Sequence, residues 1–379
     1  MSRPASESES SVDTRWIEAT YRVRASPSAI DARAQAIALE QSIELPIEAV
    51  SDARVLNEVV ARVVQIVPAD GRAFDATIRL AAETTGFEAG QLLNMLFGNT
   101  SLQDDVTLLD VEFPSAFTAR FGGPRFGIAG IRELTGVQGR PLTCSALKPQ
   151  GLAPARLAAL AHTFARAGID VLKDDHGLAD QASAPFAARV AEVQRAVDRA
   201  NREIGGRCVY APSLNGHYEQ MREQVAQARA CGVQMFLVAP MVSGVAALAA
   251  LARDAGAPII AHPAMAGSTR IAPPLLLGKL FRLFGADATI FPNSGGRFSY
   301  TPEICAGIVD AAREAWQHLA PALPVPAGGM AVERVHEMRA RFGDDVMLLI
   351  GGSLLMAGDQ LFARCREFVA AVRNGGGNR

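Results

Sequence analysis

From Pro141 onward, short apolar runs alternate with longer stretches in which apolar and polar positions follow helical spacing. The short runs have the length of strands, and the stretches between them have the spacing of amphipathic helices. Strands are predicted at 142–147, 169–173, 207–211, 234–239, 258–262, 288–292, 323–327 and 346–350. Helices are predicted at 154–167, 185–203, 219–230, 273–284 and, last, 360–372. This succession predicts a (β/α)8 barrel over residues 136–372, with a doubly wound open sheet as the alternative.

Before Pro141 the pattern predicts a smaller domain of strands and helices. Alternating positions predict strands at 16–24, 62–67, 74–80 and 106–113, and helical spacing predicts helices at 29–41 and 88–97. We therefore expect an α+β domain of the ferredoxin-like type over residues 14–135, which ends in a glycine-rich stretch. The polar residues 1–13 and the glycine-rich residues 373–379 are predicted to be disordered tails.

Composition narrows the class of protein. A net charge of −2 and a pI near 6.3 give no basis for binding nucleic acid or an acidic membrane surface. The first residues contain no apolar segment of a secretory signal, and the apolar runs are too short to span a bilayer. The five cysteines are widely spaced without a CxxC pair, which indicates buried thiols in a reducing compartment. We expect a soluble cytoplasmic protein.

Lysine is rare and its placement is informative. Of the 37 lysine and arginine residues only three are lysines, and two of them, Lys148 and Lys173, lie at the ends of predicted strands; Lys279 lies in an apolar helical run. Lysine differs from arginine in that its pKa can fall enough to expose a nucleophilic amine. A biased composition could leave three lysines anywhere, but chance would rarely put two of them at strand ends beside acids and turn residues.

Polar groups also follow the second predicted barrel strand. Alternation puts Lys173 and Asp175 on one face, with His176 next. Carboxylates at the carboxyl end of a barrel strand suit a divalent cation such as Mg²⁺, but a lysine there repels a cation unless CO₂ converts its amine to a carbamate. A plain Lys173–Asp175 salt bridge is the alternative, and spacing alone favours it slightly.

Several motifs resemble those of the Rubisco superfamily. Gly168 to Asp175 resembles its carbamylated-lysine motif, and Ala146-Leu147-Lys148-Pro149 resembles its first-strand lysine motif. Further segments are similar to its amino-terminal and later landmarks: 82–86, 98–99, 262–265, 277–280, 328–329 and 351–352. The resemblance covers the chain from about Trp16 to the last helix, with the motifs in the same order.

The resemblance implies roles for individual residues. Lys173 would be a metal ligand as its carbamate, Asp175 a second ligand, and Lys148 the residue that steers proton transfer. His262 would donate a hydrogen bond to the substrate or its phosphate, with a core histidine under the barrel rim as the alternative. The family also implies a two-fold homodimer with shared active sites, and the residues that would reach into the neighbouring subunit's barrel are Glu83 and Asn99.

The departures from the family pattern bear on metal and substrate. The third ligand, a glutamate in the family, is His176 here, which leaves Mn²⁺ or another divalent ion possible, or an acid–base role for the histidine. Residues that would hold a second phosphate are replaced, for example by Pro263, whereas two glycine pairs typical of a phosphate site remain. These pairs are Gly328-Gly329 and Gly351-Gly352. The resemblance is therefore to the non-carboxylating Rubisco-like proteins, and we expect a substrate with one phosphate.

Activities in this branch pass through an enediolate. The first hypothesis is a lyase or hydrolase, a decarboxylase or transcarboxylase/hydrolase of 3-oxo-isoapionate 4-phosphate, because His176 departs from the enolase pattern and Arg297 could pair with a substrate carboxylate. The alternative is an enolase or isomerase of a methylthio-sugar phosphate. From other classes, a Schiff-base aldolase with Lys148 or Lys173 as nucleophile and a non-catalytic sugar-phosphate binder stay open.

Overall fold

The computed structural model describes residues 15–374, in two compact units that divide between Phe121 and Gly122. The tail predicted at 1–13 and most of that at 373–379 lie outside the described residues. Residues 373 and 374 are not a tail, since the last helix continues through Asn374. The division between the units also comes earlier than the predicted boundary after residue 135.

The first unit has the predicted α+β order. Its strands are β1 Trp16–Arg24, β2 Arg62–Ala69, β3 Ala73–Ala81 and β4 Val106–Glu112, in one antiparallel sheet of order β2-β3-β1-β4. Its longer helices are Ile30–Glu40 and Ala89–Phe97, and its short helical turns are Ile47–Ala49, Val55–Val59, Ala82–Thr85, Asn99–Leu102 and Ser115–Thr118. A helix between β1 and β2, another between β3 and β4, and this strand order define the ferredoxin-like arrangement. Buried Tyr21 ties sheet to helix by donating a 2.6 Å hydrogen bond to the carbonyl of Leu96.

The second unit contains eight short parallel strands. They are β5 Leu142–Leu147, β6 Val171–Asp174, β7 Val209–Ala211, β8 Phe236–Val238, β9 Ile259–Ala261, β10 Ala288–Pro292, β11 Leu323–Ala327 and β12 Met347–Leu349. Hydrogen bonds give the orders β12-β5-β6-β7 and β8-β9-β10-β11. Backbone hydrogen bonds from the N–H of Leu214 to the carbonyl of Leu237, and from the N–H of Leu237 to the carbonyl of Pro212, join β7 to β8. Strand β11 lies beside β12. The strands therefore form a closed ring, and the predicted barrel is confirmed.

Helices surround this ring. They are Gly127–Thr135, Pro154–Arg166, Phe186–Ile204, Tyr218–Ala230, Pro240–Ser243, Val245–Asp254, Pro274–Leu280, Phe281–Leu283, Pro302–Arg313, Val335–Phe342, Gly352–Leu355 and Leu361–Asn374, with 3-10 turns at Ala266–Ser268, Val332–Arg334 and Gly358–Gln360. Apolar side chains from all eight strands fill the interior of the ring. Ile128 and Ile131 pack against the same core, which explains why helix Gly127–Thr135 belongs to the barrel unit although the sequence analysis placed it before the boundary. Among residues 15–374, no helix combines the length and apolar character that crossing a bilayer requires.

Candidate active site

A cavity of about 1110 Å³ lies at the carboxyl ends of the barrel strands. Its lining includes every barrel residue to which the sequence analysis gave a role in the site: Lys148, Lys173, Asp175, His176, His262, Arg297, Gly328, Gly329, Gly351 and Gly352. Strand alternation explains part of this convergence, because Lys173 is two residues beyond Val171, whose side chain packs inside the barrel. The structure places these residues together; their roles stay predictions.

Lys148 and Asp175 form an ion pair in the cavity. The Nζ of Lys148 lies 2.9 Å from Oδ1 of Asp175, and the Nδ1 of His176 is 3.5 Å from the same oxygen. Burial would raise the pKa of Asp175, but the contacts with His176 and Lys148 outweigh it and hold the pKa well below its usual range. Asp175 therefore stays an anion over the physiological range of pH.

Lys173 is more deeply buried than Lys148. Its side chain belongs to a residue only 3% exposed, and Nζ donates a 3.0 Å hydrogen bond to the carbonyl of Asp174. Burial lowers the pKa of Lys173, and the positive charge of Lys148 lowers it further, while Cys144 and the nearby carboxylates oppose the shift. Lys173 therefore loses its proton more readily than an ordinary surface lysine does, and its neutral amine forms at a lower pH.

Asp174, the other acid of this motif, faces the opposite way. Its carboxylate is fully buried and accepts hydrogen bonds from Nε of Arg189 at 3.1 Å, from the hydroxyl of Tyr210 at 2.7 Å and from the backbone of Ser213 at 3.1 Å. These contacts anchor helix Phe186–Ile204 to β6. Asp174 is therefore a structural residue, and only one acid of the pair is turned toward the cavity.

Two histidine rings stack at the cavity wall. The rings of His176 and His262 have centroids 4.2 Å apart and lie within 9° of parallel. Burial, with the nearby charges of Lys173 and His176, lowers the pKa of His262 to about 2, so its imidazole is neutral. Nδ1 accepts a 3.1 Å hydrogen bond from the backbone of Ala264, and this assigns the ring proton to Nε2. His262 can therefore donate a hydrogen bond from Nε2.

These residues suit a divalent cation only when Lys173 carries a carbamate. Among the described residues, no three His, Cys, Asp or Glu side chains are placed to hold a metal ion. As an ammonium, Lys173 would repel the ion; as a carbamate it would add an oxygen ligand beside Asp175 and His176. The burial that favours the neutral amine of Lys173 favours this reaction as well, so the donor set and the modification are consistent with each other.

Two glycine-containing loops, one at residues 294–296 and the other at 328–329, approach each other closely on another part of the cavity wall. Gly329 has a φ of 66°, and a Cβ there would lie 2.4 Å from the Cα of Gly296. Arg334 links the two loops, because its Nη1 donates to the carbonyls of Ser294 at 3.2 Å and Gly329 at 3.0 Å. Glycine is required at position 329 both by the backbone conformation and by the space.

The sequence analysis missed an apolar part of the lining. Met265, Phe298 and Met356 line the cavity and are exposed. Phe298 packs over Gly328, since a Cβ on that glycine would lie 3.4 Å from the ring, and the guanidinium of the neighbouring Arg297 lies 5.0 Å from the ring centroid. Apolar side chains in loops after strands usually indicate packing, so no signal in the sequence distinguished these three.

Glu83 and Asn99 lie in the first unit and are exposed. Glu83 accepts hydrogen bonds from Arg54 at 3.2 and 3.3 Å, and the side-chain amide of Asn99 donates to Glu40 at 2.9 Å and Glu44 at 3.1 Å. Neither residue lines the barrel cavity. Their role in a neighbouring subunit stays a prediction.

Comparisons with known proteins agree with this geometry. The model of the ribulose bisphosphate carboxylase large chain, catalytic domain, matches residues 127–358. The chain is 53% identical to ribulose bisphosphate carboxylase-like protein 1 of Rhodopseudomonas palustris, over 94% of this chain and 97% of that protein. It is 52% identical to 5-methylthioribulose-1-phosphate isomerase of Rhodospirillum rubrum, over 95% and 96%. A crystal structure of a Rubisco-like protein from Rhodopseudomonas palustris superposes with a TM-score of 0.90 at 48% identity, over 96% of this chain and 99% of that one. The chain belongs to the Rubisco large-chain family, in its non-carboxylating, Rubisco-like branch.

Proposed function

We propose that this protein is an enzyme that isomerises a mono-phosphorylated keto sugar through an enediolate, with a 5-methylthioribulose 1-phosphate as its substrate. The observation that carries the proposal is the cavity, in which a lysine–carboxylate cluster and paired glycine loops line one space. The 52% identity to a protein named for this isomerase supports the choice of substrate. It favours the second of the two hypotheses from the sequence over the 3-oxo-isoapionate reaction.

An isomerisation of this kind removes a proton from a carbon beside a carbonyl and returns a proton to another carbon. We assign both steps to Nζ of Lys148, which would accept the proton as a free amine and return it as the ammonium; its 2.9 Å ion pair with Asp175 in the free protein must open first. The neutral His262 donates a hydrogen bond from Nε2 to the substrate oxygen on which charge develops. The glycine pairs at 328–329 and 351–352 would hold the phosphate through backbone N–H groups.

We infer that a divalent cation, Mg²⁺ or another ion such as Mn²⁺, takes part. Lys173 as its carbamate, Asp175 and His176 would hold it. When bound, the ion supplies Lewis-acid polarisation of a carbonyl and a neighbouring hydroxyl oxygen. Asp175 then has two competing partners, because Lys148 already contacts its Oδ1.

Proton NMR in D₂O tests the function. Purified protein with Mg²⁺ and bicarbonate is given the methylthioribulose phosphate in one sample and 3-oxo-isoapionate 4-phosphate in another. We expect deuterium incorporation and a new methylthio-sugar phosphate in the first sample, and no change in the second. Release of CO₂ or glycolate from the second sample alone would overturn the proposal in favour of the decarboxylase or hydrolase.

Two variants sharpen this test. Lys173→Met should abolish turnover, whereas Lys279→Met removes a buried lysine that packs near Trp316, outside the cavity, and should retain it. A Schiff-base aldolase would instead be inactivated by borohydride in the presence of substrate without any divalent ion. Covalent trapping of substrate on Lys148 or Lys173 under those conditions contradicts the enediolate proposal.

We also propose a homodimer in which Glu83 and Asn99 complete the partner's active site. Inactive Glu83→Gln and Lys173→Met proteins, mixed and allowed to exchange subunits, should regain about one quarter of the wild-type activity. Half of the randomly paired dimers are then hybrids, and each hybrid has one intact site. No recovery in a mixture shown to contain hybrids would place Glu83 in its own subunit's site or outside the site.

A further inference from the structure

The loops after β9 and β10 bring apolar side chains to one side of the cavity mouth. Met265, after β9, is 59% exposed, and Phe298, after β10, is 47% exposed, although both line the cavity. These two strands are hydrogen-bonded neighbours, so their loops are adjacent. Pro263 adds a third apolar group to the lining. We call Pro263, Met265 and Phe298 the apolar corner.

Exposure of one apolar side chain needs no explanation, but several together at the mouth of a cavity that also holds two lysines and a carboxylate do. Met265 also has a φ of 62°, in the left-handed region that residues with a Cβ rarely adopt. Glycine or asparagine would suit such a position better. A bulky apolar side chain retained on an unfavourable backbone at a site indicates that the side chain itself is used there.

The position of this corner indicates what it contacts. The glycine pairs that suit a phosphate follow β11 and β12, whereas the apolar corner follows β9 and β10, and Phe298 is the member of the corner that reaches the first pair, over Gly328. By the family resemblance, Pro263 occupies the position of the arginine that contacts a second phosphate in carboxylating members. The end of the substrate remote from its phosphate would therefore meet carbon and sulfur atoms here.

We propose that the apolar corner binds an apolar tail, such as a thioether, at the end of the substrate opposite its single phosphate, and that Met265 determines this specificity. The inference rests on the proposed function for the direction in which the substrate lies. Methionine suits this role because its unbranched, polarisable thioether packs against sulfur and aromatic groups of varied shape. Arg297, over the ring of Phe298, favours an anionic tail instead.

Binding of unreactive alkyl phosphates tests the corner without requiring turnover. The probes are 5-(methylthio)pentyl phosphate, 5-hydroxypentyl phosphate and pentane-1,5-diyl bisphosphate, titrated calorimetrically into the full chain with Mg²⁺ and bicarbonate. We expect the methylthio probe to bind about tenfold more tightly than the hydroxy probe, the effect of burying roughly two methylene-sized groups. The bisphosphate should bind more weakly than the methylthio probe. Equal affinities, or a preference for the bisphosphate, overturn the proposal.

Variants of Met265 separate its apolar character from its size. Met265→Gln, of similar length, should reduce the tenfold ratio to about twofold or less, whereas Met265→Leu, with the same backbone strain, should retain most of it. Met356→Gln makes the same exchange at a methionine beyond the glycine pair 351–352, and it should leave the ratio unchanged. An unchanged ratio in Met265→Gln, or loss of the dimer in that variant, would show that the corner serves packing or the partner subunit instead.

The outcomes also separate this inference from the proposed function. Tail discrimination without turnover of the methylthioribulose phosphate retains the apolar corner and removes the isomerase. Turnover without discrimination retains the isomerase and removes the corner.

Discussion

Adding a single methyl group at Gly329 should disturb the cavity more than the same addition at neighbouring Gly328. Both glycines have positive φ, 66° and 74°. A Cβ at position 329 would lie 2.4 Å from the Cα and 2.9 Å from the N of Gly296, whereas one at position 328 would first meet the ring of Phe298 at 3.4 Å. Backbone atoms cannot move aside as a side chain can, so Gly329→Ala must displace one of the two loops.

The loss of stability in Gly329→Ala has two parts, the cost of the left-handed backbone and the clash, and a matched control separates them. Gly205, at the end of helix Phe186–Ile204, has a φ of 64°, and a Cβ there would meet no described atom within 4 Å. Gly205→Ala therefore incurs only the left-handed backbone cost of about 1–2 kcal/mol. That cost corresponds to a loss in Tm of a few degrees for a unit of this size, at roughly 2–4 °C per kcal/mol. Gly329→Ala incurs the same backbone cost together with the clash, so its loss in Tm should be larger.

The alanine variants of the three glycines should differ more in KM than in thermal stability. We expect Gly329→Ala to raise KM for the phosphorylated substrate at least tenfold, because displacing the loop moves backbone donors away from the phosphate. Gly205→Ala should leave KM at the wild-type value, and Gly328→Ala should change it only a fewfold. Thermal unfolding and steady-state kinetics of the three variants make the comparison. A KM for Gly329→Ala equal to that of Gly205→Ala would refute the assignment of this loop to the phosphate.

Three further predictions concern single side chains. Lys173→Met should abolish the CO₂-dependent binding of Mg²⁺ measured by calorimetry, and CO₂-independent binding of unchanged affinity would contradict the carbamate. Arg334→Met should raise KM about tenfold with little change in kcat, because it removes the link between Ser294 and Gly329; a fall in kcat alone would contradict a positioning role. The Arg33–Asp105 pair lowers the pKa of Asp105, so its roughly 1 kcal/mol of stability should be present above pH 4 and lost as pH falls through the folded pKa. Asp105→Asn should flatten the acid limb of the unfolding free energy, and an unchanged limb would contradict this.

The barrel could be predicted from the sequence because its pattern has few competing interpretations. A buried parallel strand is apolar along its whole length, and eight such runs separated by amphipathic helices leave few architectures. The boundary between the two units was harder to predict from the sequence. Helix Gly127–Thr135 lies among glycines that suggested a linker, and only the packing of Ile128 and Ile131 in the barrel core shows where it belongs.

Parts of the candidate site depend on contacts that no sequence pattern specifies. The sequence brought Lys148 and Lys173 to one rim, but it favoured a Lys173–Asp175 salt bridge, whereas Asp175 contacts Lys148. Alternation separated Asp175 from Asp174, but it could not show that Arg189 and Tyr210 engage Asp174 behind the barrel wall. Those partners are distant in sequence, so the structural role of Asp174 emerges only when the chain is folded.

The presence of lysine now has a physical explanation at one of its three positions, Lys173. Arginine serves for structural pairing throughout the chain, as at Arg189 within the buried cluster around Asp174. Position 173 is buried at the base of the cavity, and its surroundings lower the pKa of the amine. A guanidinium would stay charged there and could not react with CO₂, so even Lys173→Arg would remove the proposed ligand while adding a permanent cation beside Lys148. A chain that replaces lysine by arginine almost everywhere can therefore retain lysine where its chemistry, and not its charge, is needed.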